Sequence, residues 1–272
     1  LFGLTPRYPL RCPLGSQYSR AFPGGAIQLP PMIEVLLAGT ATALATGLGA
    51  IPVILMGTRA ATLRPLLLGI AAGVMIVASV LGLIAPALDR GSGLQVGLGI
   101  LAGVAFLVIA RTLMEHRNQS LHRSGAHSTT ILVFLVLFVH SLPEGFAIGT
   151  AYATDPATIG LFMLLAISIQ NIPEGTSVAI PMAAEGASPL RQVTAAILTS
   201  APQPVGAVIA FLLTESIASL LPISFGFAAG AMLTLSVVEL LPQAWAGGRR
   251  LAVTGTLAGA LVMTLLDLLL NV

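Results

Sequence analysis

Residues 130–153 read TILVFLVLFVHSLPEGFAIGTAYA, and residues 158–182 read TIGLFMLLAISIQNIPEGTSVAIPM. Each run is long enough to cross a bilayer, which takes about 20 mostly apolar residues. Near the middle of each sits a polar hexapeptide: HSLPEG from His140 to Gly145, and QNIPEG from Gln170 to Gly175. The composition agrees with a membrane protein. Of 272 residues, 56% are hydrophobic and 8% charged, where a soluble domain carries about 25% charged residues. Mean hydropathy is +0.97. These values exclude an ordinary soluble enzyme, a disordered chain and a nucleic-acid binder. Abundant Gly, Ala and Leu with 5% aromatics suit tightly packed helices rather than the short alternating segments of a β-barrel. The single cysteine, Cys12, excludes an intramolecular disulfide.

Working outward, the apolar pattern predicts an all-α integral membrane protein with eight spans. They cover about 33–56, 66–88, 93–113, 130–153, 158–182, 192–213, 217–243 and 251–271. The longest connection, about 114–129, is polar and holds His116, His122 and His127. Residues 1–31 carry Arg7, Arg11, Arg20 and six prolines. That composition predicts a polar leader that is disordered or non-native, with Met32 opening the membrane-spanning part, residues 32–272.

Connections after the odd-numbered spans carry Arg59, Arg64, Arg111, Arg117, Arg123, Arg191, Arg249 and Arg250; those after the even-numbered spans carry only Arg90. Positive charge stays cytoplasmic, so both termini are expected outside. The chain also repeats. GIAAGVMIVAS from Gly69 matches GFAAGAMLTLS from Gly226, an offset of 226 − 69 = 157 residues. The same offset carries Thr42 onto Thr199 and Gly49-Ala50 onto Gly206-Ala207. Five crossings separate the halves, so they insert with opposite orientation, the inverted repeat of many transporters.

The chemistry lies in the two hexapeptides. An ionised side chain at mid-membrane costs about 2.5–3.5 kcal/mol on insertion scales, and neither span contains an arginine. Glu144 and Glu174 therefore call for a cation from outside. His140 with Glu144, and Gln170 with Glu174, are spaced i, i+4 and share a helical face. Pro143 and Pro173 remove ladder hydrogen bonds, so the helices are expected to break there. An imidazole, two carboxylates and an amide, with the thioether of Met75, suit Zn²⁺, Fe²⁺ or Mn²⁺. Thiolates are absent from the spans, as release of the ion requires. The plain alternative is a structural His140–Glu144 pair that stiffens the bundle.

The double motif resembles that of the ZIP (ZRT/IRT-like) metal transporters, in the bacterial GufA-like branch. The resemblance runs from Met32 to Val272 and implies divalent-metal uptake, most often of zinc, through a bacterial inner membrane. It implies eight helices in a 3+2+3 arrangement with inverted repeats and elevator-like alternating access. It also implies a metal site of Met75, His140, Glu144, Gln170 and Glu174. Relatives carry a second ion on carboxylates and an asparagine where this chain has Ser141, Asn171 and Gln203, so one ion is expected here and at most a weak second site. Asp89 and Asp267 match an entrance pair, and Glu239 a pathway position, although Val238 replaces a histidine. Zn²⁺, with Cd²⁺, Fe²⁺ or Mn²⁺ as alternatives, is substrate rather than cofactor. The expected partners are that ion and the lipid bilayer, with a homodimer suggested by the resemblance alone. The loop histidines suit capture or sensing of released metal. A passive channel would use the same ligands. An intramembrane metalloenzyme would need an HExxH-type cluster, which is absent.

Overall fold

The computed structural model describes residues 31–122 and 128–272; the leader up to residue 30, and residues 123–127 with His127, lie outside the described residues. Among the described residues every regular element is helical. The first stretch joins α1 (Pro31–Leu48) to α2 (Ala50–Met56), and Gly57 closes it with φ 59°, a conformation that favours glycine. A 3₁₀ segment then leads into α3 (Arg64–Val77), a π-helical stretch (Ala78–Ile84) and α4 (Ala85–Arg90). Next come α5 (Gly93–His122), α6 (Ser128–Thr154) and, after a π-helical turn, α7 (Leu161–Ala184). The rest comprises α8 (Pro189–Thr199), α9 (Pro202–Ser216), α10 (Leu221–Leu235), a π-helical stretch (Ser236–Leu240) and α11 (Leu241–Leu270).

Local sequence explains the starts. Proline sits in the first turn of α3, α8, α9, α10 and α11, where its missing N–H costs nothing. Asp155 caps the turn before α7, accepting from Ala157 and Thr158 backbone amides. One expectation fails. Both α6 and α7 continue through Pro143 and Pro173; flanking helix held by tertiary packing outweighs one lost hydrogen bond. The sequence separates 217–243 from 251–271, and between them the apolar stretch Leu221–Leu270 is kinked at Gly248 (φ 163°, ψ 97°), whose backbone is not helical. Among the described residues seven stretches are long and apolar enough to cross a membrane, and this one, of 50 residues, holds both limbs. The helix α5 also passes the end of its apolar run and carries His116 and His122.

The surface and core are exchanged relative to a soluble protein. Leu94, Leu101, Leu257, Leu261 and Leu269 are exposed, whereas Glu144, Gln170, Asn171, Glu174 and Gln203 are buried. That pattern fits a lipid solvent outside and a polar path within.

Glycines set the packing. A β-carbon at Gly69 or Gly73 of α3 would collide with the carbonyls of Ala252 and Thr256 in α11. Both sides step by four residues in the same direction, so the two helices run parallel. Gly99 and Gly103 of α5 meet Ile223 and Phe227 of α10 in the same way, and Gly145 and Gly149 of α6 meet Gln203 and Ala207 of α9. Gly39 of α1 meets Pro204 of α9, and Gly175 of α7 meets the Thr46 carbonyl of α1. These contacts tie α1, α6, α7 and α9 into one group, and pair α3 with α11 and α5 with α10. Among the described residues no glycine presses the backbone of that group onto that of either pair. Side chains meet there instead, as with Phe146 of α6 and Phe227 of α10, 5.3 Å apart.

Gly175→Ala forces α7 off α1 and is expected to destabilise the protein by about 1–3 kcal/mol. Gly97→Ala, where nothing lies within 4 Å of the added carbon, should leave stability unlowered. Thermal unfolding in detergent checks the contrast.

Candidate metal site

Both motif helices deliver their polar side chains inward. His140 and Glu144, one turn apart on α6, are 5% and 1% exposed; Gln170 and Glu174 on α7 are 0% and 2% exposed. The His140 Nδ1–H donates to the Val136 carbonyl at 2.5 Å. That bond leaves Nε2 with the lone pair a metal requires. Met75 from α3 lines one cavity with His140 and Glu144, together with Met232 from α10. The cavity is too narrow to admit a water molecule.

Glu144 is gripped from two sides. Gln170 Nε2 donates to its Oε1 at 2.7 Å, and Gln203 Nε2 donates to its Oε2 at 2.6 Å. The far oxygen of Gln170 and Oε1 of Glu174 are buried with no hydrogen-bond partner. Buried acceptors are rarely left so, and two of them on residues that face the Glu144 carboxylate fit a cation. Glu174 lies within electrostatic reach of Glu144 and of Glu239. Among the described residues no three His, Cys, Asp or Glu side chains already form a metal cluster. Gln170 and Glu174 do not line the cavity that Met75 shares with His140.

The positions of the second site point elsewhere. Ser141 Oγ donates to the carbonyls of Leu137 and Thr199, at 3.0 and 2.9 Å. Asn171 Nδ2 donates to the Thr42 carbonyl at 2.7 Å and to Gln203 Oε1 at 3.2 Å. The expectation of weak neutral contacts to a second ion therefore meets N–H groups. Gln203 presents a donor to Glu144 where a cation would otherwise sit.

A second cavity adjoins the first, lined by His140, Arg111, Thr234, Val238 and Glu239 among others. Glu239 is half-buried in the π-helical stretch and accepts from Gln243 Nε2 at 3.3 Å. Asp89 is exposed at the end of α4, and Asp267 is half-buried near the end of α11. Because α3 and α11 run parallel, both acids belong to the same end of the bundle.

The chain matches the family model described as ZIP zinc transporter over residues 110–267. It is 35% identical to Zinc transporter GufA of Myxococcus xanthus over 254 residues, 88% of this chain and 98% of that protein. The chain belongs to the ZIP family. It is also 33% identical to Zinc transporter ZIPB of Bordetella bronchiseptica, covering 85% of this chain and 80% of that protein. A longer Arabidopsis thaliana protein is 38% identical over 219 residues, and the match spans only 34% of its length.

In this ZIP chain the structure adds three residues whose roles sequence reasoning missed. Arg111 was read as a rim charge, yet it reaches the cavity of His140 and Glu239; a long side chain at a span end can turn inward. Gln203 was legible only as a lost carboxylate, not as a donor to Glu144. Met232 was visible as the repeat partner of Met75, 75 + 157 = 232, but its place in the cavity was not.

Proposed function

We propose that this protein carries divalent metal ions, zinc foremost, across a bacterial inner membrane into the cytoplasm by alternating access. The observation that carries the reading is the pair of unpartnered buried oxygens on Gln170 and Glu174, residues that face the Glu144 carboxylate. Met75, His140, Glu144, Gln170 and Glu174 form the metal site in this account. The names of GufA and ZIPB, both zinc transporters, support zinc as the cargo.

The reading includes eight crossings in an inverted 3+2+3 repeat, with both termini outside. The turn at Gly248 supports it, splitting Leu221–Leu270 into two limbs that pack parallel to α5 and to α3. The contacts themselves repeat. Gly145 meets the Gln203 carbonyl and Gly175 meets that of Thr46, and 46 + 157 = 203. Ser141 donates to Thr199 and Asn171 to Thr42, a pair with the same offset. The π-helical stretch Ala78–Ile84 corresponds to the one at Ser236–Leu240. The group α1, α6, α7 and α9, welded through glycines and meeting α10 through side chains, supports a body that moves as a unit, as alternating access requires. Uptake of metal into sealed proteoliposomes, with saturation and counterflow, tests the reading. Non-saturating flux without counterflow would contradict a carrier.

The amide donors define the stoichiometry. Wild-type protein should bind one tight ion per chain, because Gln203 and Asn171 turn N–H groups toward the second position. Gln203→Glu removes the donor to Glu144 and supplies a ligand, so calorimetry should then register a second ion. Two equally tight ions in the wild type would contradict this account.

A further inference from the structure

We propose that Met232 is a second thioether ligand of the transported ion and sets its preference among divalent metals. The inference rests on the metal-site reading above and extends it to a residue on the opposite repeat. Met75 and Met232 stand at equivalent places in GIAAGVM and GFAAGAM. One projects from α3 and the other from α10, and both are buried, at 0% and 1% exposure. Both line the narrow cavity that holds His140 and Glu144. A π-helical stretch begins within one turn after each, at Ala78 and at Ser236, an irregularity frequent at functional sites.

Thioether sulfur is soft and polarizable, and its flexible stem lets it turn toward an ion without moving the backbone. A single methionine in an apolar lining is ordinary packing. Two symmetry-related methionines lining one cavity with the imidazole and the carboxylate offer the ion two sulfur donors. Glu144, which lines the same cavity, adds a hard oxygen ligand to make a mixed set. Such a set holds Cd²⁺ more firmly, relative to Zn²⁺, than one thioether would.

The test is X-ray absorption at the cadmium edge on the purified full chain with one equivalent of Cd²⁺. A Cys12→Ser background keeps the only thiol out of the sulfur shell. The expected result is two sulfur neighbours in this background, one each in Met75→Leu and Met232→Leu, and none in the double variant. Calorimetry should show the Cd²⁺-to-Zn²⁺ affinity ratio falling by about tenfold in Met232→Leu. Met232→Ile serves as a second replacement of similar volume if leucine disturbs insertion. An unchanged sulfur shell in an inserted Met232 variant that still binds Cd²⁺ would overturn the proposal and leave Met232 as packing. If instead His140→Ala binds Cd²⁺ with the wild-type shell, the metal-site reading itself fails, and the two failures are told apart.

Discussion

Glu174→Ala should abolish zinc uptake, by at least about 100-fold, while the protein still inserts and folds. Loss of a supporting partner around a metal costs 10–100-fold, and a direct carboxylate ligand belongs at or above the top of that range. Insertion should not suffer, because a buried carboxylate costs about 2.5–3.5 kcal/mol at mid-membrane. Glu174 is the cleaner choice of the two acids. Its Oε1 has no protein partner, so its removal orphans nothing at that atom. Glu144→Ala would also stop transport, but it strands the amide donors of Gln170 and Gln203 and confounds function with stability. The measurement is radioactive zinc uptake into proteoliposomes, beside membrane yield and size-exclusion behaviour. Wild-type uptake by Glu174→Ala would remove the carboxylate from the mechanism.

Joining α6 to α10 covalently should stop transport reversibly. Thr150 of α6 and Ser224 of α10 touch across their boundary, with hydroxyl oxygens 2.5 Å apart. Cysteines at both positions, on a Cys12→Ser background, are close enough to be joined by a disulfide. Oxidation should reduce uptake in proportion to the cross-linked fraction, and a thiol reductant should restore it. The block should be nearly complete, because the proposed alternating access moves the α6 side past the α10 side in every cycle. Fully cross-linked vesicles that accumulate zinc at the reduced rate would contradict movement at this boundary.

Much of the architecture is legible because lipid imposes a coarse rule: apolar runs of sufficient length become helices. Six of the eight expected spans match separate stretches to within a few residues. The last two adjoin without a polar loop: in AWAGGRRLAV, residues 244–253, only Gly248 departs from helical backbone, and it parts the two limbs. The breaks expected at Pro143 and Pro173 did not occur, since a proline's local cost says nothing about the packing that holds the flanking turns. In the candidate site, the i, i+4 spacing anticipates the convergence of α6 and α7 side chains. The amides were harder to read. Gln170, Asn171 and Gln203 each offer both a donor and an acceptor, and sequence cannot say which faces Glu144. Arg111 and Met232 come from helices distant in sequence, and only tertiary packing brings them to His140.

Anomalous diffraction at the zinc edge from crystals of the full chain tests the central claim most directly. The account predicts one strong peak within coordination distance of His140 Nε2, Glu144, Gln170 and Glu174, which disappears in Glu174→Ala. A principal peak elsewhere, or one that persists at this place in Glu174→Ala, would contradict it.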